Sequence, residues 1–170
     1  HNVELDPIQI LKMQEMDAHP NTVDFSSRRT GKTAVKEMYH LERLATEPHQ
    51  ELGIVAPRMQ QSQNNLNYLI DGIRRSEMLN AFIAHRQGRP QLKDLGFAFV
   101  NGSKASAYGI MSQIDGDSIT MASLEETDDM PQDRLLSRFL PMLGAARRLG
   151  VDRKTTEFKP SIRISGVYKG

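Results

Sequence analysis

The residues whose order carries most chemistry are Ser26-Ser27-Arg28-Arg29-Thr30-Gly31-Lys32-Thr33. They read as a phosphate-binding loop of the Walker A kind, with Ser26 where the first glycine usually stands. In such a loop, backbone N–H groups and the positive end of the following helix surround phosphate oxygens. Lys32 is then placed to reach the β- and γ-phosphates of a nucleoside triphosphate, and the Thr33 hydroxyl to ligate Mg²⁺. The loop needs a strand before it and a helix after it. Thr22-Val23-Asp24-Phe25 is short and β-prone, and Ala34, Val35, Met38, Leu41 and Leu44 follow at roughly helical spacing. An ordinary turn leading into a basic helix start is the bland alternative, and it leaves that context unexplained.

Hydrolysis of a bound triphosphate needs carboxylates at the end of a neighbouring strand. One holds the metal shell and one activates the attacking water. Ser118 to Leu124 reads as a buried strand that delivers Glu125 and Glu126 to its carboxyl end. Glu126 is the candidate general base. Glu125 is the candidate for the metal shell, one methylene longer than the aspartate usual there. Asp128 and Asp129 follow closely and could share the metal role, while Asp115 and Asp117 read as loop residues. The alternative is a solvated acidic turn capping a helix that starts at Pro131.

The elements that must position these residues alternate between helix and strand. Asp6-Pro7 followed by Ile8, Leu11, Met13 and Met16 predicts a capped helix with proline in its first turn. The short apolar run 52–57 reads as a buried strand, and helical spacing resumes at Met59 through Leu66, Leu69, Ile70 and Ile73. A short helix is expected near 79–83, and a small β-pair at 91–92 and 97–102. A helix bent at Pro141 is expected from Pro131 to Leu149, and a last strand over 161–166. The pattern predicts an α/β domain with a parallel sheet flanked by helices and ligands at the carboxyl edge of its strands.

Bulk properties narrow the classes. With 170 residues, the chain is expected to form a single domain that needs no staples. It has no cysteine, which removes disulfides and thiolate metal sites, and its five histidines lack metal-ligand spacing. No apolar run reaches bilayer length and no secretory pattern opens the chain, so an intracellular soluble protein is expected. The net charge of +1 gives no general pull toward nucleic acid, so DNA contact would need a local patch or an assembly. Arg74-Arg75, Arg147-Arg148 and Arg153-Lys154 are such patches, or simply solvated helix faces. Met13, Met16 and Met59 read as core filler.

Taken in order, these motifs resemble the ATPase domain of the large terminase subunit, the DNA-packaging motor of tailed bacteriophages. The likeness runs from Leu5 to Gly166. Leu5-Asp6-Pro7-Ile8-Gln9 is similar to that family's adenine-recognising glutamine motif, and a primary amide suits the task because it both donates and accepts. Residues 26–33 resemble its deviant phosphate loop, with an arginine at the position of Arg28. Residues 54–57 with Gln60-Gln61 resemble the strand-and-helix motif shared with helicases. Glu125-Glu126 fills the acidic pair, and Ile164-Ser165-Gly166 resembles the coupling motif, in which a small hydroxyl senses the γ-phosphate.

The resemblance implies a P-loop NTPase of RecA/ASCE type that uses ATP and Mg²⁺ to drive double-stranded DNA into a procapsid in the host cytoplasm. It implies a portal protein, a small terminase subunit and a homo-oligomeric ring as partners, and no membrane. In the carried-over roles Lys32 and Arg28 act on the phosphates, Arg28 near the γ-phosphate. Gln9 and residues 26–33 bind ATP, Thr33 and Glu125 serve the metal, Glu126 is the base, and Ser165 and Gly166 couple. The family often places a trans-acting arginine in the loop before the acidic strand. Here the stretch 103–109 offers only Lys104, with Arg134 and Arg138 on the following helix as substitutes. The usual nuclease domain is not expected in this stretch of chain. A helicase-like DNA translocase is the rival reading, since glutamine motif, phosphate loop and acidic pair recur there. A small-molecule kinase and a non-catalytic binding module are weaker ones.

Overall fold

In the computed structural model the described residues are 4–26, 30–111, 118–144, 147–149, 155–157 and 159–166. The first helix, α1 (Pro7–Ala18), starts as the sequence predicts, with Asp6 and Gln9 closing a capping box. Strand β1 (Asn21–Asp24) leads to helix α2 (Lys32–Thr46), and β2 (Glu51–Ala56) to α3 (Met59–Arg75) and the short α4 (Glu77–Ala81). Two small hairpins follow, β3 (His85–Arg86) with β4 (Arg89–Pro90), and β5 (Leu92–Lys93) with β6 (Gly96–Ala98). Then come β7 (Lys104–Gly109) and β8 (Met121–Glu125). After them the chain runs through short helical turns, the hairpin β9 (Arg147–Leu149) with β10 (Thr155–Glu157), and β11 (Ser161–Ser165).

The main sheet has the order β1-β11-β8-β2-β7-β6-β5. Its first five strands are parallel, and β6 and β5 extend it antiparallel. One layer, from α2 and α3, packs Leu44, Leu66, Leu69 and Ile73 on Leu52, Ile54, Ala105 and Met121. On the other face Phe139, Met142 and Leu143 cover Val55, Ala122 and Leu124. Strand alternation sorts the side chains between the two. Met121 faces α2 and α3 while Ala122 and Leu124 face away. By the same period Ser123, Glu125, Arg163 and Ser165 fall on the α2 face, opposite Ile162 and Ile164.

Helix α1 is tied down at its end. Arg163 Nη2 and Tyr39 Oη both donate to the Met16 carbonyl, at 2.6 and 3.0 Å, and Arg163 Nη1 donates to the Pro20 carbonyl. A cation on the last carbonyls of a helix also suits its dipole.

Three expectations need correction. Residues 104–109 form β7, parallel to β2, rather than a loop before the acidic strand. The expected single helix from Pro131 to Leu149 is instead α5 (Gln132–Arg134), a π turn over Leu135–Phe139 and a 3₁₀ turn over Leu140–Gly144. Arg147–Leu149 is not helical at all but pairs with β10. The expected helix face of α2 is also revised. Met38 is exposed, and the buried face carries Lys36, Glu37 and His40 beside Val35, Tyr39 and Leu44.

Candidate nucleotide site

The parallel register puts Asp24 opposite Ser165 and Ser165 opposite Glu125, so three strands end in one row. Beyond that row each strand hands over to a predicted site residue: β1 to Ser26, β11 to Gly166, and β8 to Glu126. The sequence-predicted loop and acidic pair therefore share one edge, separated only by β11.

Gly31 caps α2 in the left-handed conformation, at φ 70°. A side chain there would be strained, and its Cβ would stand 2.8 Å from Gln9 Nε2. Gln9 thus lies directly against the loop. Its Oε1 is already engaged, accepting from the Asp6 N–H at 3.1 Å, so the amide nitrogen is the end that faces the loop. Gly31 supplies no side-chain cap, which leaves the first N–H groups of α2 for an anion.

Ser26 does more than replace a glycine. Its Oγ lies 2.9 Å from both Lys12 Nζ and Thr30 Oγ1, and its N–H donates to Asp24 Oδ1 at 2.9 Å. Lys12 also pairs with Asp24 at 2.8 Å. Burial works against the Asp24 charge, but the bonds from Lys12 and Ser26 prevail and hold the carboxyl below its usual value. Lys32 Nζ donates at 2.7 Å to two carbonyls, those of Ser26 and Gly166. Ser27, Arg28 and Arg29 lie outside the described residues, as do Asp115, Asp117, Arg153 and Lys154.

On the acidic side Glu125 is buried and pairs with Lys36 at 2.6 Å. Glu126 is exposed and held in the left-handed region, at φ 52°, ψ 47°. Its N–H donates to the Ser165 carbonyl at 3.0 Å, and its Oε2 accepts from Gln61 Nε2 at 2.8 Å. Asp128 and Asp129 sit in the 3₁₀ turn Thr127–Asp129 just beyond. Arg134 donates to the Met111 carbonyl at 3.2 Å and Arg138 is exposed. Lys104 is placed elsewhere: it begins β7 at the opposite edge of the sheet, 3.3 Å from Glu51, so it does not belong to this site.

Several participants were not singled out from sequence for these roles, Lys12 and Asp24 beside Ser26 and, on α2, Lys36 and His40 among them. Lys36 sits one helical turn after Lys32 on the buried face of α2, and that spacing was its only sequence signal. His40, further along the same face, lies 3.0 Å from Glu37 Oε2, while Ser123 Oγ donates to Glu37 Oε1 at 2.7 Å. Burial pushes the His40 pKa below its ordinary value in spite of Glu37.

A cavity of about 440 Å³ adjoins this edge, lined by Lys32, Lys36, Ser165, Phe25, Ile8 and Leu11. Among the described residues no cluster of three or more His, Asp or Glu side chains could hold a metal by itself. A hydroxyl at Thr33 and a carboxylate at Glu125 are nonetheless hard oxygen donors of the kind that suit Mg²⁺ held mainly by phosphates. No described helix is long and apolar enough to cross a membrane.

No protein-family profile matches the sequence, and no curated protein is a significant match to it. Solved structures do match. The HK97 bacteriophage large terminase is 17% identical with a TM-score of 0.70, over 97% of this chain and 33% of that one. The large terminase ATPase domain of Thermus phage P74-26 is 15% identical with a TM-score of 0.74, over 98% of this chain and 66% of that one. The large terminase of the thermophilic bacteriophage D6E, in complex with ATP-gamma-S, is 12% identical with a TM-score of 0.62, over 96% and 38%. This chain therefore spans less than two thirds of each of them. It shares the fold of large terminase ATPase domains, a mostly parallel sheet flanked by helices.

Proposed function

We propose that this chain is the ATPase motor domain of a viral large terminase subunit, hydrolysing ATP with Mg²⁺ to move double-stranded DNA into a procapsid. The observation that carries the reading is the shared edge: Lys32 at one side of β11 and Glu125-Glu126 at the other, with Ser165 and Gly166 between them.

In this reading Lys32 exchanges its two carbonyl partners for phosphate oxygens and stabilises the charge that develops on them. The first-turn N–H groups of α2 bind the same phosphates, and Gln9 presents its amide nitrogen to the base. Thr33 and Glu125 are the residues that would hold Mg²⁺, which when bound would neutralise phosphate charge. Glu126 takes the proton of the attacking water. Arg28 lies near the γ-phosphate, and Ser165 with Gly166 conveys its loss to the rest of the domain. Double-stranded DNA, a portal protein, a small terminase subunit and further copies of the chain in a ring are the partners of this reading, in the host cytoplasm.

The test is calorimetry of ATP on the wild-type protein and on Lys32→Ala. Removing a charge that binds ground state and transition state alike should lower affinity and turnover together. Unchanged ATP binding by the variant rejects the phosphate-loop assignment.

A further inference from the structure

Lys36 is an unusual residue for a helix–sheet interface. Its side chain is 5% exposed, yet it carries a charge. The ammonium has three protons and finds three acceptors: Glu125 Oε1 at 2.6 Å, Ser165 Oγ at 2.8 Å and the Leu124 carbonyl at 3.4 Å. These belong to the last residues of β8 and β11. Glu37 Oε1 stands 3.8 Å away and is itself tied to Ser123 of β8. Helix α2 is thereby fastened by polar contacts to the ends of the two strands that carry the acidic pair and the coupling hydroxyl.

Buried ion pairs of this kind rarely add stability over well-packed apolar side chains. What such a contact supplies is geometry. Lys32, one turn earlier on the same helix, donates to the Gly166 carbonyl. Consecutive residues of the coupling segment are therefore gripped by two lysines of α2. Lys32 must release Gly166 to take up a phosphate, whereas Lys36 faces Glu125 and Ser165 and can keep its grip.

We infer that Lys36 is a positioning residue that fixes Glu125 and Ser165 relative to α2, so that a change at Lys32 is transmitted to both. The inference rests on the ATPase reading above and adds to it a residue that acts through others.

The experiment uses the whole chain with Lys36→Met and Lys36→Arg, and Tyr39→Phe as a control on the same helix. ATP binding is measured in EDTA by calorimetry, turnover is normalised to folded protein, and hydrogen exchange is followed at the amides of Glu126 and Gly166. In Lys36→Met, ATP affinity should stay near wild type while kcat falls about tenfold or more, the scale of loss expected when reacting groups are misplaced by about 1 Å. Exchange should quicken at those two amides and not across the sheet. Lys36→Arg keeps the charge but replaces a compact donor by a planar fork, so it should fold and give an intermediate kcat. If Lys36→Met leaves its buried carboxylates uncompensated and does not fold, the arginine variant carries the test by the same readouts. Wild-type kcat per folded molecule, or loss of ATP affinity in step with kcat, overturns the inference. Failure of the wild-type chain itself to bind ATP overturns the ATPase reading instead, and the inference with it.

Discussion

Gln61 donates from Nε2 to Glu126 Oε2 at 2.8 Å, and its own Oε1 accepts from the Arg58 backbone N–H at 3.1 Å. The cap of α3 thus fixes which way the amide points, and the amide fixes the carboxylate. Gln61→Leu breaks both bonds and lets the Glu126 side chain wander. Turnover should fall about tenfold or more while ATP affinity holds, since proton transfer depends on placement. A steady-state comparison of kcat and KM checks it, and an unchanged kcat shows that Gln61 serves only the cap.

Glu126 occupies a backbone conformation that costs a non-glycine residue about 1 kcal/mol or more. Glu126→Gly should therefore raise the thermal midpoint while abolishing hydrolysis. Glu126→Gln keeps the cost and the shape but removes the base, so ATP should still bind while hydrolysis drops by about 10²-fold or more. Scanning calorimetry and a phosphate-release assay on the two variants separate the backbone effect from the chemistry.

His40 supplies a pH dependence. Its native pKa lies below the ordinary histidine value near 6.5 because burial disfavours the charged ring. Below about pH 6.5 the unfolded chain takes up a proton that the folded chain resists, so this contribution to stability is whole above that pH and shrinks as pH falls toward the native pKa. The urea midpoint should drop between pH 7.5 and 5.5, and His40→Gln should flatten that slope. A midpoint equally steep in the variant would assign the slope to other groups.

Gln9→Ala removes the reciprocal half of the α1 capping box and the amide beside Gly31 together. ATP affinity and the preference for adenine over guanine nucleotides should both decline. Gln9→Glu keeps the acceptor that closes the box but loses the donor facing the loop, so ATP affinity and base preference should decline with α1 still capped. Equal discrimination in wild type and Gln9→Glu would make Gln9 a capping residue only.

An arginine supplied across a ring interface can add about 10³-fold or more to turnover. With Lys104 at the far edge of the sheet, Arg134 and Arg138 are the described candidates. Mixing Arg138→Ala or Arg134→Ala subunits with Glu126→Gln subunits of the full-length protein should partly restore activity if one of them acts in trans. No recovery with either places the arginine elsewhere.

The parts of the fold that sequence made legible are those with strong local signals. Asp6 and Pro7 announce α1, Gly31-Lys32-Thr33 the start of α2, and the unbroken apolar run of β2 a buried parallel strand. β7 escaped because its inward residues are Ala105, Ala107 and Gly109, too small to register as an apolar stripe, and its partner β2 is remote in sequence. The region after Pro131 promised one helix because Leu135, Phe139 and Leu143 keep helical spacing. Pro141, with no N–H to give, and the packing of Phe139 and Met142 onto β8 turn it into π and 3₁₀ turns. At the site, the loop and the acidic pair were visible as motifs. Lys36 and the Gln61–Glu126 bond were not assigned those roles, since they exist only once α2, α3 and β8 meet.

The position of β11 between β1 and β8 has a mechanical corollary. In the described sheet it is the sole neighbour of β1, and Gly166 N–H reaches back to the Asp24 carbonyl at 3.1 Å. Axial travel of this one strand would tug the phosphate cradle and the acid pair in the same stroke, since β11 is paired with both β1 and β8. Its middle residue, Arg163, moors the same strand to the end of α1. The stiffness of that mooring, two residues before Ser165, would set how much of a pull at Ser165 becomes motion and how much is absorbed as strain.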